Sequence, residues 1–277
     1  MFKKLLLCTV IVSLQFTLYS QESSSASKNV TVLDSLFTIP KVTNIPHKIW
    51  VYLPPNYQES KQRFPVIYMH DAQNLFDSST AYSGEWEVDE TLNTLYKKTG
   101  RGFIVIGVEN GGTERINEYT PWVHSKYGGG KGAAYIDFLK NDLKPFIDAN
   151  YRTKSGPKNT AIVGSSLGGF ISFYGGLKYP KTFGKIGAMS PSFWFSEKVF
   201  DFTKNQTLLS RTKLYMLVGE KESEEMVSGT KKMDQLLRTL GFSNTQLKTV
   251  IRPEGKHHEH FWKNEFLAQI MWLFNIN

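Results

Sequence analysis

A mostly parallel α/β sheet with helices on both faces is the architecture this sequence predicts, and three observations predict it. Short, near-continuous apolar runs recur along the chain. Segments with helical periodicity fall between them. The two kinds alternate, as strand–helix–strand units do when the sheet is parallel.

Residues 30–38 alternate apolar and polar positions and predict an early strand. Residues 49–53 predict a short strand, stopped by Pro54 and Pro55. Residues 64–69 are nearly all apolar, as expected of a strand covered on both faces. Residues 103–108 form a second such run and 160–163 a third; 186–189, 214–218 and 247–251 continue the series. Between them, Ile136, Leu139, Leu143 and Phe146 recur at three and four residues within 134–147, the spacing of one helix face. Residues 167–177 predict a helix directly after the third run. Met233, Leu236, Leu237 and Leu240 mark another within 227–240, and Phe266, Ile270, Leu273 and Phe274 mark the last.

The 277 residues suffice for one large domain and are short for two, so residues 30–277 read as a single domain. No internal repeat is present. Residues 21–29, rich in Ser, read as a flexible leader. The Gly-rich residues 127–131 are a loop, without the Gly-Lys-Ser/Thr of a phosphate-binding turn.

Residues 1–20 read as an export signal. Lys3 and Lys4 are its charged start, residues 5–18 its apolar stretch, and Ser20 the small residue before Gln21. Ser13, Gln15 and Thr17 interrupt that stretch, which is too short to span a bilayer comfortably. The expectation is cleavage, no stable membrane insertion, and a periplasmic or extracellular location. Cys8, the one cysteine, lies inside the signal and too early for lipid attachment. The mature chain then has no disulfide, no Cys-based zinc site and no thiol nucleophile. The formal charge of +8 includes Lys3 and Lys4, and the rest is spread along the sequence. No basic cluster interleaved with aromatics is visible, so nucleic acid is not an expected partner. Attraction to acidic polysaccharide or an anionic surface stays open.

Gly164-Ser165-Ser166-Leu167-Gly168 matches G-x-S-x-G. The match alone is weak; its context is not. A buried strand ends at Gly164 and a helix begins at Leu167, so the glycines permit the sharp strand-to-helix turn that exposes a serine hydroxyl in α/β-hydrolases. The helix start also offers free N–H groups to developing negative charge. The competing reading is a Ser-Gly turn capping an ordinary helix. Placement favours the nucleophile, and the register selects Ser166 over Ser165.

A serine hydroxyl needs a base, usually His. The histidines are His47, His70, His124, His257, His258 and His260. The last three follow the final predicted strand, where the base of an α/β-hydrolase lies, leaving His257 or His258. His257 and His260 with Glu259 between them suggest a metal, yet the His-Glu-x-x-His pattern and a second ligand cluster are missing, so no metal or cofactor is expected. His260 opens the final helix as a polar group. The acid should follow the preceding strand, in Gly219-Glu220-Lys221-Glu222-Ser223-Glu224-Glu225. Four glutamates compete there; an acid three residues after the strand-terminal Gly is the common hydrolase arrangement, which points to Glu222, and the alternative is a merely acidic helix start. The order Ser166, Glu222, His257 is that of α/β-hydrolases.

From about Ile49 onward the chain resembles the putative-esterase family of α/β-hydrolases, which includes feruloyl, acetyl-xylan and enterobactin esterases, esterase D and mycolyltransferases. The resemblance rests on residues 51–57 (VYLPPNY), 68–77 (YMHDAQNLFD), Arg115 with 118–121 (EYTP), 164–169, 190–194 (SPSFW), and 255–259 (GKHHE) with Trp262. It implies the α/β-hydrolase fold, a catalytic histidine at His257, an acid at Glu222, and an oxyanion hole from the N–H groups of Leu167 and Gln73. Ala72 stands where the family has Gly, and His258 where it has Asn. Asp71, Arg115, Glu118, Tyr119, Trp122 and Trp194 are candidate pocket residues; an Arg–Glu structural pair with core aromatics is the equal alternative. The implied activity is serine ester hydrolysis through an acyl-enzyme, on feruloyl or acetyl esters of extracellular carbohydrate. A siderophore esterase of the enterobactin type is the alternative enzyme. A catalytically inactive hydrolase-fold binding module is the alternative of another class; such modules usually lack a triad member, and here all three candidates are present.

Overall fold

The computed structural model describes residues 24–206 and 211–276; the expected signal peptide lies outside them. Among the described residues twelve strands form: β1 (Val30–Val32), β2 (Phe37–Ile39), β3 (Thr43–His47), β4 (Ile49–Tyr52), β5 (Val66–His70), β6 (Ile104–Val108), β7 (Val123–His124), β8 (Gly128–Gly129), β9 (Thr160–Ser165), β10 (Lys185–Met189), β11 (Lys213–Gly219) and β12 (Leu247–Arg252). The helices are α1 (Val88–Thr99), α2 (Arg115–Tyr119), α3 (Gly132–Phe138), α4 (Lys144–Asn150), α5 (Leu167–Lys178), α6 (Lys198–Lys204), α7 (Glu224–Thr239) and α8 (Glu259–Phe274).

Eight strands make one sheet in the order β1-β4-β6-β5-β9-β10-β11-β12. The pairings β1–β4 and β4–β6 are antiparallel, and all others in that sheet are parallel. The apolar runs are strands with two covered faces. Val66, Tyr68 and Ile162 enter one core with Phe170 and Ile136 from the helices, whereas Ile67, Met69, Ala161 and Val163 enter the other with Leu92, Phe266 and Ile270. Alternation along each strand thus survives in direction though not in polarity. Helices α1 and α8 cover one face, and α3, α5 and α7 the other.

Several segments differ from expectation. Residues 30–38 split into β1, which joins the main sheet, and β2, which pairs instead with β3. The helix expected over 134–147 runs on as α3, a π-helical turn (Leu139–Leu143) and α4. Helix α1 was not foreseen, because its buried apolar stripe is only Val88, Leu92 and Leu95. Residues 24–29, within the expected flexible leader, are tied down: Ser27 N–H donates to Asp89 Oδ2 (2.7 Å) and Asn29 Nδ2 to the Leu53 carbonyl (2.6 Å). Among the described residues, no helix is long and apolar enough to cross a membrane.

Candidate active site

The C-terminal ends of five parallel strands converge at one edge, where α/β sheets place their ligands. Strand β5 delivers Asp71, β9 Ser166, β10 Ser190 and Ser192, β11 Glu222 and β12 His257. Ser166 sits at φ 57°, ψ −123° between β9 and α5. Asp71 and Ser190 also have positive φ, 57° and 43°. Three strained non-glycine residues beside one another at neighbouring strand ends mark a site whose geometry the surrounding fold enforces.

The turn explains its glycines. A Cβ on Gly164 would lie 2.7 Å from the backbone carbon and oxygen of Gly168 and 2.9 Å from His70 Cδ2. Close approach of the strand end to the first turn of α5 holds Ser166 proud of the sheet. Gly164→Ala is expected to lower stability by about 1–3 kcal/mol, the usual penalty for overpacking, and to lower ester turnover with it. An unchanged melting temperature and unchanged turnover would show that the turn tolerates the methyl group.

His257 Nδ1 lies 2.7 Å from Glu222 Oε2, and its Nε2 lies 3.0 Å from Ser166 Oγ. With the Nδ1 proton donated to the carboxylate, Nε2 is left to accept the Ser166 hydroxyl proton. The Glu222 side chain is wholly buried, while that of His257 is 39% exposed. A buried carboxylate must be paired. Glu222 Oε1 accepts from Gly219 N–H (2.8 Å) and Ser190 Oγ (2.6 Å), and Ser190 Oγ in turn accepts from Trp262 Nε1 (2.9 Å). The Trp262 ring also meets the His257 ring edge-on, with centroids 4.9 Å apart.

Backbone contact brings the loops of Glu222 and His257 together. A Cβ on Gly219 would fall 2.2 Å from the Gly255 backbone, so only two glycines allow these loops to touch. Lys221 N–H donates to the Gly255 carbonyl and Glu220 N–H to that of Arg252. The competing glutamates go elsewhere: Glu220 is exposed, and Glu224 and Glu225 open α7 at the surface. The competing histidines do too. His258 caps α8, its ring Nδ1 accepting from His260 N–H, and His260 Nε2 meets Asn264 Nδ2. His70 is buried against the Tyr135 hydroxyl, and burial pushes its pKa down to about 3, so it stays neutral.

A cleft of about 910 Å³ opens over Ser166, lined also by His257, Trp262, Trp86, Asp71, Gln73, Asn110 and Arg115 among others. Arg115 grips Asp71 with two parallel bonds (Nε–Oδ1 2.7 Å, Nη2–Oδ2 2.8 Å), and Asn110 Nδ2 donates to the same carboxylate at 2.6 Å. Burial alone would raise the Asp71 carboxyl, but Arg115 and Asn110 outweigh it and hold the group below the usual range. Leu167 is the first residue of α5, so its N–H has no acceptor within the helix. Gln73 lies in a one-turn 3₁₀ helix (Ala72–Asn74) on the cleft wall, closed by bonds from Asn74 and Leu75 rather than from Gln73.

Of the candidate pocket residues, Asp71 and Arg115 line the cleft and four do not. Glu118 is fully buried against His47 Nε2 (2.7 Å) and accepts Gly111 N–H (3.0 Å), so it braces the loop that carries Asn110. Tyr119 lies beneath the cleft, its hydroxyl accepting Asp71 N–H at 3.1 Å. Trp122 packs into the core against Phe170, Tyr174 and Phe202. Trp194 is exposed beside Tyr127 and His124, in the turn that follows Ser192; Ser192 Oγ stands 3.4 Å from Ser166 Oγ. Tyr119 and Trp122 are core aromatics, as the structural alternative had it, whereas its Arg–Glu pair does not form: Glu118 meets His47 and Arg115 meets Asp71. Sequence reasoning missed Ser190, Asn110 and the glycine contact; Ser190, a polar residue at a strand end, carried the one readable signal.

Among the described residues, only Glu85, Asp89 and Glu90 could offer a metal three ligands, with atoms within 4.8 Å of one another. Burial is the main cause that pushes Glu90 up to about 8, and this group takes no part in the Ser166 network.

The family model described as "Putative esterase" matches residues 41–273. The uncharacterized protein YbbA of Bacillus subtilis is 28% identical over 82% of this chain and 92% of its own length. An endo-1,4-beta-xylanase/feruloyl esterase of Xylanibacter ruminicola is 28% identical over 80% of this chain, which spans 29% of that longer protein. The enterobactin esterase FES of Shigella flexneri shares the fold, with a TM-score of 0.73 at 13% identity over 91% of this chain and 60% of that one. An α/β-hydrolase sheet with a serine at positive φ between β9 and α5, matched by the family model along nearly its whole described length, places this chain in the Putative esterase family, as a carboxylic-ester hydrolase.

Proposed function

We propose that the chain cleaves acyl esters, feruloyl or acetyl, from extracellular carbohydrate through an acyl-enzyme. The observation that carries this reading is the unbroken run Glu222–His257–Ser166 at 2.7 and 3.0 Å. His257 Nε2 takes the Ser166 proton as Oγ attacks the ester carbonyl, and the proton passes to the departing alcohol. Water then enters, His257 takes its proton, and the acyl-serine is released as the free acid. Glu222 orients the imidazole and stabilises its cation. The N–H groups of Leu167 and Gln73 receive the oxyanion, a large contribution to rate when both are in place.

The substrate class is supported by the feruloyl esterase relative and by a cleft of about 910 Å³ that takes an aromatic acid or a sugar. Export, as residues 1–20 read, puts the enzyme where such polymers lie. A panel of acetyl, feruloyl, long-acyl and catecholate-lactone esters compared by kcat/KM tests it. Feruloyl or acetyl esters are expected to lead by at least about tenfold, some 1.4 kcal/mol of transition-state binding. Preference for the catecholate lactone would move the enzyme to siderophore hydrolysis. No turnover of any ester would make it a binding module.

A further inference from the structure

At the opposite edge of the sheet, where the parallel strands begin, lies a second concavity of about 580 Å³. Seven of its lining residues are Lys or Arg and none is Asp or Glu. They come from segments far apart in the chain, so their convergence belongs to the fold. They also follow the sheet order. Arg101 precedes β6, Arg63 precedes β5, Lys158 precedes β9, Lys185 opens β10, and Lys213 opens β11 with Arg211 just before it. Five adjacent strands spaced ~4.8 Å apart make this a row roughly 19 Å long.

Two of these cations are occupied by the fold. Lys185 Nζ donates to the Leu273 carbonyl, and Lys213 Nζ to the Trp272 carbonyl (2.6 Å) and Asn275 Oδ1 (2.7 Å), capping the end of α8. Burial, with repulsion from Lys213, pushes Lys185 down to about 8. Arg63 donates one bond to the Thr153 carbonyl and stays exposed. Arg101, Lys154, Lys158 and Arg211 are exposed as well. Nine Lys or Arg elsewhere pair with carboxylates, whereas no described carboxylate pairs with any cation of this row.

We infer that this row is a binding site for a linear acidic polysaccharide, a polyuronate with one carboxylate per sugar ring. A groove lined by seven cations and no carboxylate complements a chain that carries an anion on every ring. The aromatic residues of the lining, Phe64, Phe103 and Phe274, include no exposed ring for stacking nucleobases. The surface is concave, and none of the exposed large apolar residues lines it, so nothing there enters a lipid layer. Strand β9 separates it from Ser166 by its six residues, about 20 Å. The site would therefore hold the polymer independently of catalysis.

Binding of tetragalacturonate to the full-length protein, measured by titration calorimetry at several salt concentrations, tests this. Neutral xylotetraose, inorganic tripolyphosphate and vesicles of anionic phospholipid are the comparison arms. The expected result is saturable binding of tetragalacturonate that weakens as salt rises, with no binding of xylotetraose. The pair Arg101→Glu with Lys158→Glu should weaken it at least tenfold while p-nitrophenyl acetate turnover stays unchanged. If that pair fails to fold, Lys154→Gln with Arg211→Gln, at exposed positions, should weaken binding severalfold. Equal affinity for xylotetraose, binding of tripolyphosphate or vesicles only, or full affinity in the folded variants would overturn the proposal.

Discussion

Ser166→Ala and His257→Ala are each expected to lower turnover of a p-nitrophenyl ester by roughly 10⁴-fold or more, and together by little beyond either alone, because the pair acts as one unit. Ser166 Oγ is held out by a strained turn, and the hydrogen bond at 3.0 Å gives its proton a destination. His258→Ala should leave turnover within a fewfold of the parent, since its ring Nδ1 accepts His260 N–H at the start of α8 whereas Ser166 Oγ is bonded by His257. A fluorophosphonate should label the parent at Ser166 and leave Ser166→Ala unlabelled. Retained activity in His257→Ala with loss in His258→Ala would reverse the assignment of the base.

Glu222→Ala is expected to cost about 10³- to 10⁴-fold in kcat, as removal of the triad acid does when the rest of the site persists. Its effect should be split from folding by Glu222→Gln. That change keeps the acceptor for Ser190 and Gly219 but can offer His257 an amide donor, favouring the wrong tautomer. Turnover should therefore fall steeply in Glu222→Gln with little change in melting temperature. Glu224→Ala and Glu220→Ala, at exposed positions, should be near neutral. Comparable loss in Glu224→Ala would place the acid on α7 instead.

Much of the fold was legible because its central strands are buried on both faces, which leaves unbroken apolar runs such as 64–69 and 103–108. Boundaries moved by a residue or two, as with β9, which continues through Ser165. The elements that escaped notice bury little: α1 shows a narrow stripe, and α2 is five residues long. Residues 30–38 alternate as one strand would, yet their first part pairs with β4 and their last with β3, a choice made by partners that alternation cannot name.

The site divides in the same way. The sequence by itself showed the nucleophile motif and confined the base to His257 or His258 and the acid to a run of four glutamates, because each sits a short, readable distance from a strand end; the family resemblance pointed to His257 and Glu222 among them. Only the tertiary structure decided which aromatic and charged neighbours face the cleft. Glu118, Tyr119 and Trp122 look like pocket residues in one dimension, and in three they are consumed by His47, by the Asp71 backbone and by the core. It also supplied Ser190 and the Gly219–Gly255 contact, which join β10, β11 and β12 across spans no local pattern records. The same holds for the row of cations at the far edge. Charges spread along the chain carry no address, and the parallel sheet aligns them because it brings the starts of distant strands side by side.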